Sequence, residues 1–255
     1  MGGKGLRATQ DVIRIWRKFD NFPMETLTKA WYSNVDSGCK QRTVEIMKMH
    51  REQYGTSGNC FDLAIWLIDE FRKENLDCYA ILTAHSHVAV VVINGEGKKY
   101  LCDLGDQWIE PILIDRNHED YTEEFLNGFF PGAQVKLTSR LGSLVVTYRR
   151  PNGKVSSQEF SLNPISDEEL IHAGQITQQN LSAPLVEKRI FTEKEVLHWE
   201  FDNYNSFISS NEGKMIESRL NSIEEWAERI SKVSGISREV VEKALEVYSK
   251  RSSHN

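Results

Sequence analysis

The sequence predicts an α+β fold, and three observations carry that prediction. The first third shows helical periodicity, the middle shows short β-branched runs divided by turn signals, and the tail mixes the two patterns. With 255 residues, 40% of them hydrophobic, the chain has ample material for a sizeable core.

Val12, Ile13, Ile15, Trp16 and Phe19 fall on one broad helical face, which Pro23 ends. Residues 41–53 are helix-like but less regular. The most regular helix starts at Cys60, where Cys60, Leu63, Ala64, Leu67, Ile68 and Phe71 trace one face of a 3.6-residue repeat. Asn59 suits its N-cap, and Asp62 supplies the acidic half of a capping box. Cys60 is therefore expected in the first turn of a buried helix.

Strands are expected at 78–84, 87–93 and 99–104, with a hairpin at Asn94-Gly95-Glu96-Gly97. A second hairpin at Arg150-Pro151-Asn152-Gly153 joins 143–149 to 155–161. Between them, 115–134 reads as a long irregular excursion containing Asn127-Gly128 and Pro131-Gly132. Ser166-Asp167-Glu168-Glu169 caps a short helix, and 185–201 holds two strands around Thr192-Glu193-Lys194. The tail returns to helix twice, along Ile223, Trp226, Ala227 and Ile230, then along Val240, Val241, Ala244, Leu245 and Tyr248, with Ser237 as the cap between. The expected division is a single unit over 1–255: a helical part over 1–76 that contains Cys60, a β part over 77–165 that contains His87 and Asp103, and an α/β part over 166–255.

Charge narrows the function. Thirty-one basic against 37 acidic residues give a net −6, which argues against binding nucleic acid or an anionic membrane surface. No run reaches the roughly 18 apolar residues of a membrane span, and the start lacks the apolar stretch of a secretory signal. Leu6 also stands where a myristoylation motif needs Ser or Thr. A cytoplasmic location is expected. The four cysteines, Cys39, Cys60, Cys78 and Cys102, form no CxxC pair and are too sparse for a disulfide scaffold.

Each cysteine is then judged by its setting. A thiol attacks as thiolate, which a helix N-terminus and a nearby histidine both favour. Cys60 has the first. His87, heading the strand Val88–Ile93, can supply the second, and Asp103, ending the strand from Lys99, can orient the imidazole. The alternative for each is packing: Cys is among the most buried residue types, and His87 could be a satisfied strand histidine. His85 competes with His87, and His-x-His on one strand face is also a metal-binding spacing. No further Cys/His cluster supports a metal, so none is expected. Cys102 alternates away from Asp103 into the core, Cys39 and Cys78 lack an activating setting, and His50, His118, His172 and His198 read as structural.

Gly58-Asn59-Cys60-Phe61-Asp62-Leu63, His87 opening an apolar strand, and Tyr100-Leu101-Cys102-Asp103-Leu104-Gly105 together resemble the core of the arylamine N-acetyltransferases. That family reads Arg-Gly-Gly-x-Cys-x-Glu around its nucleophile and Tyr-Leu-Val-Asp-Val-Gly-Phe-Gly around its acid. Fainter similarity continues through Phe160-Ser161-Leu162, Ser182-Ala183-Pro184 and Arg189-Ile190-Phe191. The resemblance implies an N-terminal helical part, a central antiparallel β-barrel and a C-terminal α/β lid. It also implies transfer of an acetyl group from acetyl-CoA, a co-substrate rather than a resident cofactor, to a small arylamine-like acceptor. Cys60 would carry the acyl group, His87 would activate it and Asp103 would orient His87.

Several residues depart from the pattern. Thr56-Ser57-Gly58 stands where the family has Arg-Gly-Gly, Asp62 replaces its Glu, Ala64 its following Asn, and Asp106-Gln107 its Phe-Gly. Asp106 would set a carboxylate at the mouth, unfavourable for a polyanionic CoA, and the nearest basic candidates are Arg140, Lys188 and Arg189. Gly-x-Cys…His…Asp in this order is also similar to transglutaminase-like enzymes, so a cysteine hydrolase or amide-bond-forming enzyme is the alternative. A non-catalytic relative that keeps the fold is a third.

Overall fold

A computed structural model describes residues 6–33 and 40–252; Cys39, and any role for it, lies outside them. The N-terminal part begins with α1 (Gln10–Trp16), which tightens into a 3-10 turn at Arg17–Phe19. Val12, Ile15, Trp16 and Phe19 are all buried. A two-residue strand, β1 (Met24–Glu25), leads into α2 (Leu27–Tyr32) and α3 (Val44–Tyr54).

Helix α4 (Cys60–Lys73) follows, and its first turn forms as the sequence suggests. Asn59 Oδ1 accepts from Phe61 N and Asp62 N, and Asp62 accepts from Asn59 N. Phe61, Leu63, Leu67 and Phe71 are fully buried, each stabilising the fold by about 1.5–3 kcal/mol. Their partners are β2 (Asp77–Leu82) and β3 (Val88–Ile93). Residues 88–92 are all buried, which is why β3 reads as a continuous apolar run instead of alternating. β4 (Lys99–Cys102) and β5 (Ile112–Leu113) complete an antiparallel sheet in the order β2-β3-β4-β5.

A second four-stranded antiparallel sheet contains β6 (Leu126–Phe130), β7 (Ala133–Arg140), β8 (Ser143–Arg149) and β9 (Val155–Ser161) in chain order. The expected irregular excursion over 115–134 is therefore corrected. Its second half is a hairpin turning at Pro131-Gly132, with Phe130, Val135 and Leu137 facing the core. Gly132 has φ +66° and a Cβ there would sit 3.1 Å from Ser209 Cβ, so both conformation and space select glycine. The bridges Ala80–Ile165 and Thr83–Phe160 join the two sheets along one seam. No closed barrel is found among the described strands.

The chain continues with α5 (Asp167–Gln179), capped by Ser166 and Glu169. Then come β10 (Leu185–Phe191), β11 (Val196–Asp202), β12 (Asn205–Ser210) and β13 (Gly213–Ile216), and finally α6 (Ile223–Ser234) and α7 (Arg238–Ser252). The third sheet runs β1-β10-β11-β12-β13, so an N-terminal strand closes the edge of a C-terminal sheet. The β11–β12 turn escapes sequence reading because Asn203 and Tyr204, not glycines, take φ +43° and +61°. Ser237 Oγ has no hydrogen-bond partner among the described residues, so the expected cap at that hydroxyl is not made. No helix among the described residues is long and apolar enough to cross a membrane.

One buried ion pair fixes α4 in place. Arg42 lies 3.3 Å from Asp62, both side chains being 2% exposed, and Arg42 also donates to Ser57 O. Gln41 and Gln178 donate to the remaining Asp62 lone pairs. Asp62→Ala removes one half of the capping box and strands a buried guanidinium, so a loss of about 3–5 kcal/mol in chemical denaturation is expected. A loss below about 1 kcal/mol would show the pair to be dispensable.

Candidate active site

The loop before Cys60 is held from beneath. Thr56 and Ser57 are fully buried, and Glu25, also fully buried, accepts from Ser57 N at 3.2 Å and Gly58 N at 2.7 Å. Burial pushes the Glu25 carboxyl up against the pull of its Thr28 and Gly58 hydrogen bonds. Gly58 has φ +102°, and a Cβ there would overlap Asp62 Oδ2 at 2.2 Å. The backbone therefore reaches the α4 N-terminus through a passage that only glycine fits. Cys60 emerges half-buried at the first position of α4.

His87 directly precedes β3, where Thr83 Oγ1 accepts from its backbone N–H. Asp103 directly follows β4 and is fully buried. The β3–β4 register pairs Val90 with Cys102, which brings the two residues side by side. His87 Nε2 lies 2.8 Å from Asp103 Oδ2, leaving Nδ1 on the other side of the ring. Cys60 converges on the same spot. A Cβ built on Gly105 would stand 2.6 Å from Cys60 Cβ, 2.7 Å from His87 Cε1 and 3.3 Å from Asp103 Oδ1. The absence of a side chain at Gly105 is what lets the three approach.

Burial opposes a charged His87, but the Asp103 and Asp106 carboxylates and hydrogen bonding to Asp103 and the Cys60 thiol outweigh it. The imidazole pKa is raised well above its ordinary value. Burial likewise raises the Asp103 carboxyl, while the neighbouring imidazole draws it down. The charged imidazole and ionised carboxylate stabilise each other across 2.8 Å.

Asp106 has a larger part than the sequence indicated. Its Oδ1 lies 3.6 Å from His87 Nε2, so the ring faces two carboxylates. Its Oδ2 accepts from Tyr148 OH at 2.8 Å and Gln158 Nε2 at 2.6 Å, and Trp108 Nε1 donates to Tyr148 OH. Burial and Asp106 push the Tyr148 phenol well up, keeping it a donor. Tyr148 and Gln158 lie on adjacent strands β8 and β9. Burial alternates along β8 and puts Tyr148 inward, and nothing in the sequence pairs it or Gln158 with Asp106.

Other candidates fall away. His85 is exposed in the turn over 84–86, where Ser86 takes φ +60°, so His85 and His87 share no strand face and the His-x-His spacing is lost. Cys102 is core, as expected, and burial pushes the Cys78 thiol up to about 11. Arg189 is buried, donating to Trp108 O and Phe19 O, and Lys188 donates to Ser234 O, which removes both as anion partners. Arg140 remains, in a cavity of about 440 Å³ shared with His85, His87 and Gln158. Two groups among the described residues have metal-compatible donor sets: His87, Asp103 and Asp106, and, separately, Glu187, His198 and Glu200. His198, expected to be structural, belongs to the second group.

No protein-family model and no curated protein matches the chain. Solved structures do match it. The arylamine N-acetyltransferase of Salmonella typhimurium superposes with TM-score 0.72 over 98% of this chain and 92% of that one, at 10% identity. The Mycobacterium tuberculosis enzyme gives TM-score 0.73 over 94% of each, at 14% identity. That of Mycobacterium marinum, solved in complex with CoA, gives 0.72 over 95% and 92%, at 12% identity. The chain has the arylamine N-acetyltransferase fold. Within this fold, the Thr56-Ser57-Gly58 segment carries no arginine of its own, and Arg42 reaches in from before α3 instead.

Gly105→Ala should displace the His87 ring from Cys60 at an overpacking cost of about 1–3 kcal/mol, without added backbone strain since Gly105 has no left-handed φ. A shift of about 1 Å costs on the order of 10²-fold in such geometry. Iodoacetamide modification of Cys60 should slow by that order, measured by peptide mapping. An unchanged rate would mean that the imidazole does not act on the thiol.

Proposed function

We propose that this chain is a divergent arylamine N-acetyltransferase-type acyltransferase that carries its acyl group as a thioester on Cys60, with His87 and Asp103 completing a triad. The observation that carries the reading is the convergence of Cys60, His87 and Asp103 around Gly105. The fold match and the CoA bound to the Mycobacterium marinum enzyme support acyl-CoA as donor.

In this reading the Cys60 sulfur attacks the thioester carbonyl of the donor, and His87 holds the thiol proton on the nitrogen away from Asp103. The carbon–sulfur bond to CoA breaks, and His87 returns the proton to the departing CoA sulfur. A small amine then attacks the acyl-cysteine, losing its proton to the imidazole as Cys60 leaves. Asp103 fixes the ring and offsets the positive charge that His87 bears in both half-reactions. Asp106, 3.6 Å away, adds to that offset.

Acidity at the mouth makes the donor the weaker part of the match. With Arg189 and Lys188 engaged elsewhere, Arg140 is the cation that shares the cavity with His87. Rapid alkylation of Cys60 at neutral pH is expected, with slow acetylation by acetyl-CoA. Intact-mass measurement and peptide mapping across a panel of CoA thioesters test this, and an acyl adduct confined to Cys60 is expected for at least one. Alkylation without any adduct would overturn the transferase reading in favour of a cysteine hydrolase. Asp103→Asn should preserve the fold while slowing turnover on the order of 10³ or more, through the wrong tautomer and loss of imidazolium stabilisation. Unfolding of that variant would make Asp103 structural.

A further inference from the structure

Beside the Cys60 site, on the face of β10 and β11, lies a second polar cluster that acyl transfer does not use. Glu187 and Glu200 are direct partners in the antiparallel register, so their side chains share one face. Like charges directly opposite each other destabilise a strand pair, and here both are half-buried. His198, two residues before Glu200 on the same face, is 7% exposed and sets Nε2 3.1 Å from Glu187 Oε2. One donor atom from each of the three lies within 4.8 Å of the others.

Lys214 acts on Glu200 through its charge, but hydrogen bonds leave the cluster incomplete. No donor among the described residues hydrogen-bonds the Glu200 carboxylate, and Glu187 receives only the His198 contact. Arg189, on the same face, turns its guanidinium to Trp108 O and Phe19 O. Arg150, on the wall of the same cavity, donates to Ser156 Oγ. The contrast with the other metal-compatible group is direct. There Asp103 and Asp106 already accept from His87, Tyr148, Gln158 and the Asp106 N–H.

We propose that Glu187, His198 and Glu200 bind a divalent transition-metal cation that bridges β10 and β11. The donor set argues for a metal over an organic ammonium. With its proton on Nδ1, the His198 ring can offer the Nε2 lone pair to a metal held by the two carboxylates, whereas an ammonium has only protons to give and needs acceptors alone. One imidazole and two carboxylates suit zinc-type ions, and three protein ligands leave coordination positions open. Those positions face a cavity of about 230 Å³ that Asp106 and Tyr148 also line. The cation would thus stand across the cavity from the Asp106 carboxylate that faces His87.

The test uses the full chain after dialysis against chelator, titrated with Zn2+ by calorimetry and with Co2+ by visible absorption. One equivalent should bind, with the Co2+ spectrum reporting a site of low coordination number. Glu200→Gln and His198→Ala each remove a direct ligand. Replacing a supporting residue already costs about 10–100-fold in metal affinity, so each variant should weaken binding at least tenfold. Glu200→Gln is nearly isosteric and keeps the test valid if His198→Ala misfolds. Asp106→Asn removes no ligand, only a neighbouring charge, and should weaken binding far less than either. Binding lost in Asp106→Asn but retained in Glu200→Gln would put the metal at His87 instead and overturn the proposal. Absence of a one-to-one complex would overturn it too, as would thermal stabilisation by spermidine but not by Zn2+.

Discussion

The hydrogen bond between His87 and Asp103 is the constraint around which the candidate site is built. A carboxylate with no exposure to water needs a partner that can share its charge, and the imidazole at 2.8 Å supplies one. That requirement explains local features that are otherwise unrelated. The β3–β4 register brings the end of one strand beside the start of its neighbour, the chain turns at once after Asp103, and Gly105 stays bare so that Cys60 can approach. Glu25, Arg42, Asn59 and Asp62 then hold the thiol in place from the opposite side.

Much of this was legible in the chain because it rests on short-range signals. The Asn59–Asp62 capping box and the periodic face of α4 put Cys60 at a helix start, and the Asn94–Gly97 turn paired the strands bearing His87 and Asp103. What stayed hidden depends on distant partners. Arg42 meets Asp62 and Asp106 meets Tyr148 and Gln158 through tertiary packing, which leaves no local pattern. Strands β12 and β13 were missed because their preceding turn uses Asn203 and Tyr204 where glycine is the usual signal. Pro131-Gly132 was read as part of a loop although it forms the tip of a hairpin. His85 misled for the opposite reason, since its two-residue spacing from His87 suggests a shared face only while the strand continues, and it does not.

The charge around the site acts differently on the imidazole and on an incoming anion. Two carboxylates facing His87 strengthen the imidazole as a proton holder whatever the substrate. The same acidity opposes a polyanionic donor at the mouth. A chain can therefore keep the arylamine N-acetyltransferase fold and a reactive cysteine while moving its donor or acceptor preference. The Glu187–His198–Glu200 cluster extends the acidic surface across the adjoining cavity, and a cation bound there would change the field that Asp106 experiences.

The most direct test of the central claim is an NMR titration of the His87 imidazole in the free protein, repeated in Asp103→Asn. Because its pKa is raised in the folded state, the ring should remain protonated at neutral pH and lose its proton only well above the ordinary histidine range. In Asp103→Asn only Asp106 is left to oppose burial, so the imidazole should lose its proton at a clearly lower pH than in the unaltered protein. If His87 titrates near the ordinary value of about 6.5 in both proteins, the buried carboxylate does not control the imidazole and the account fails.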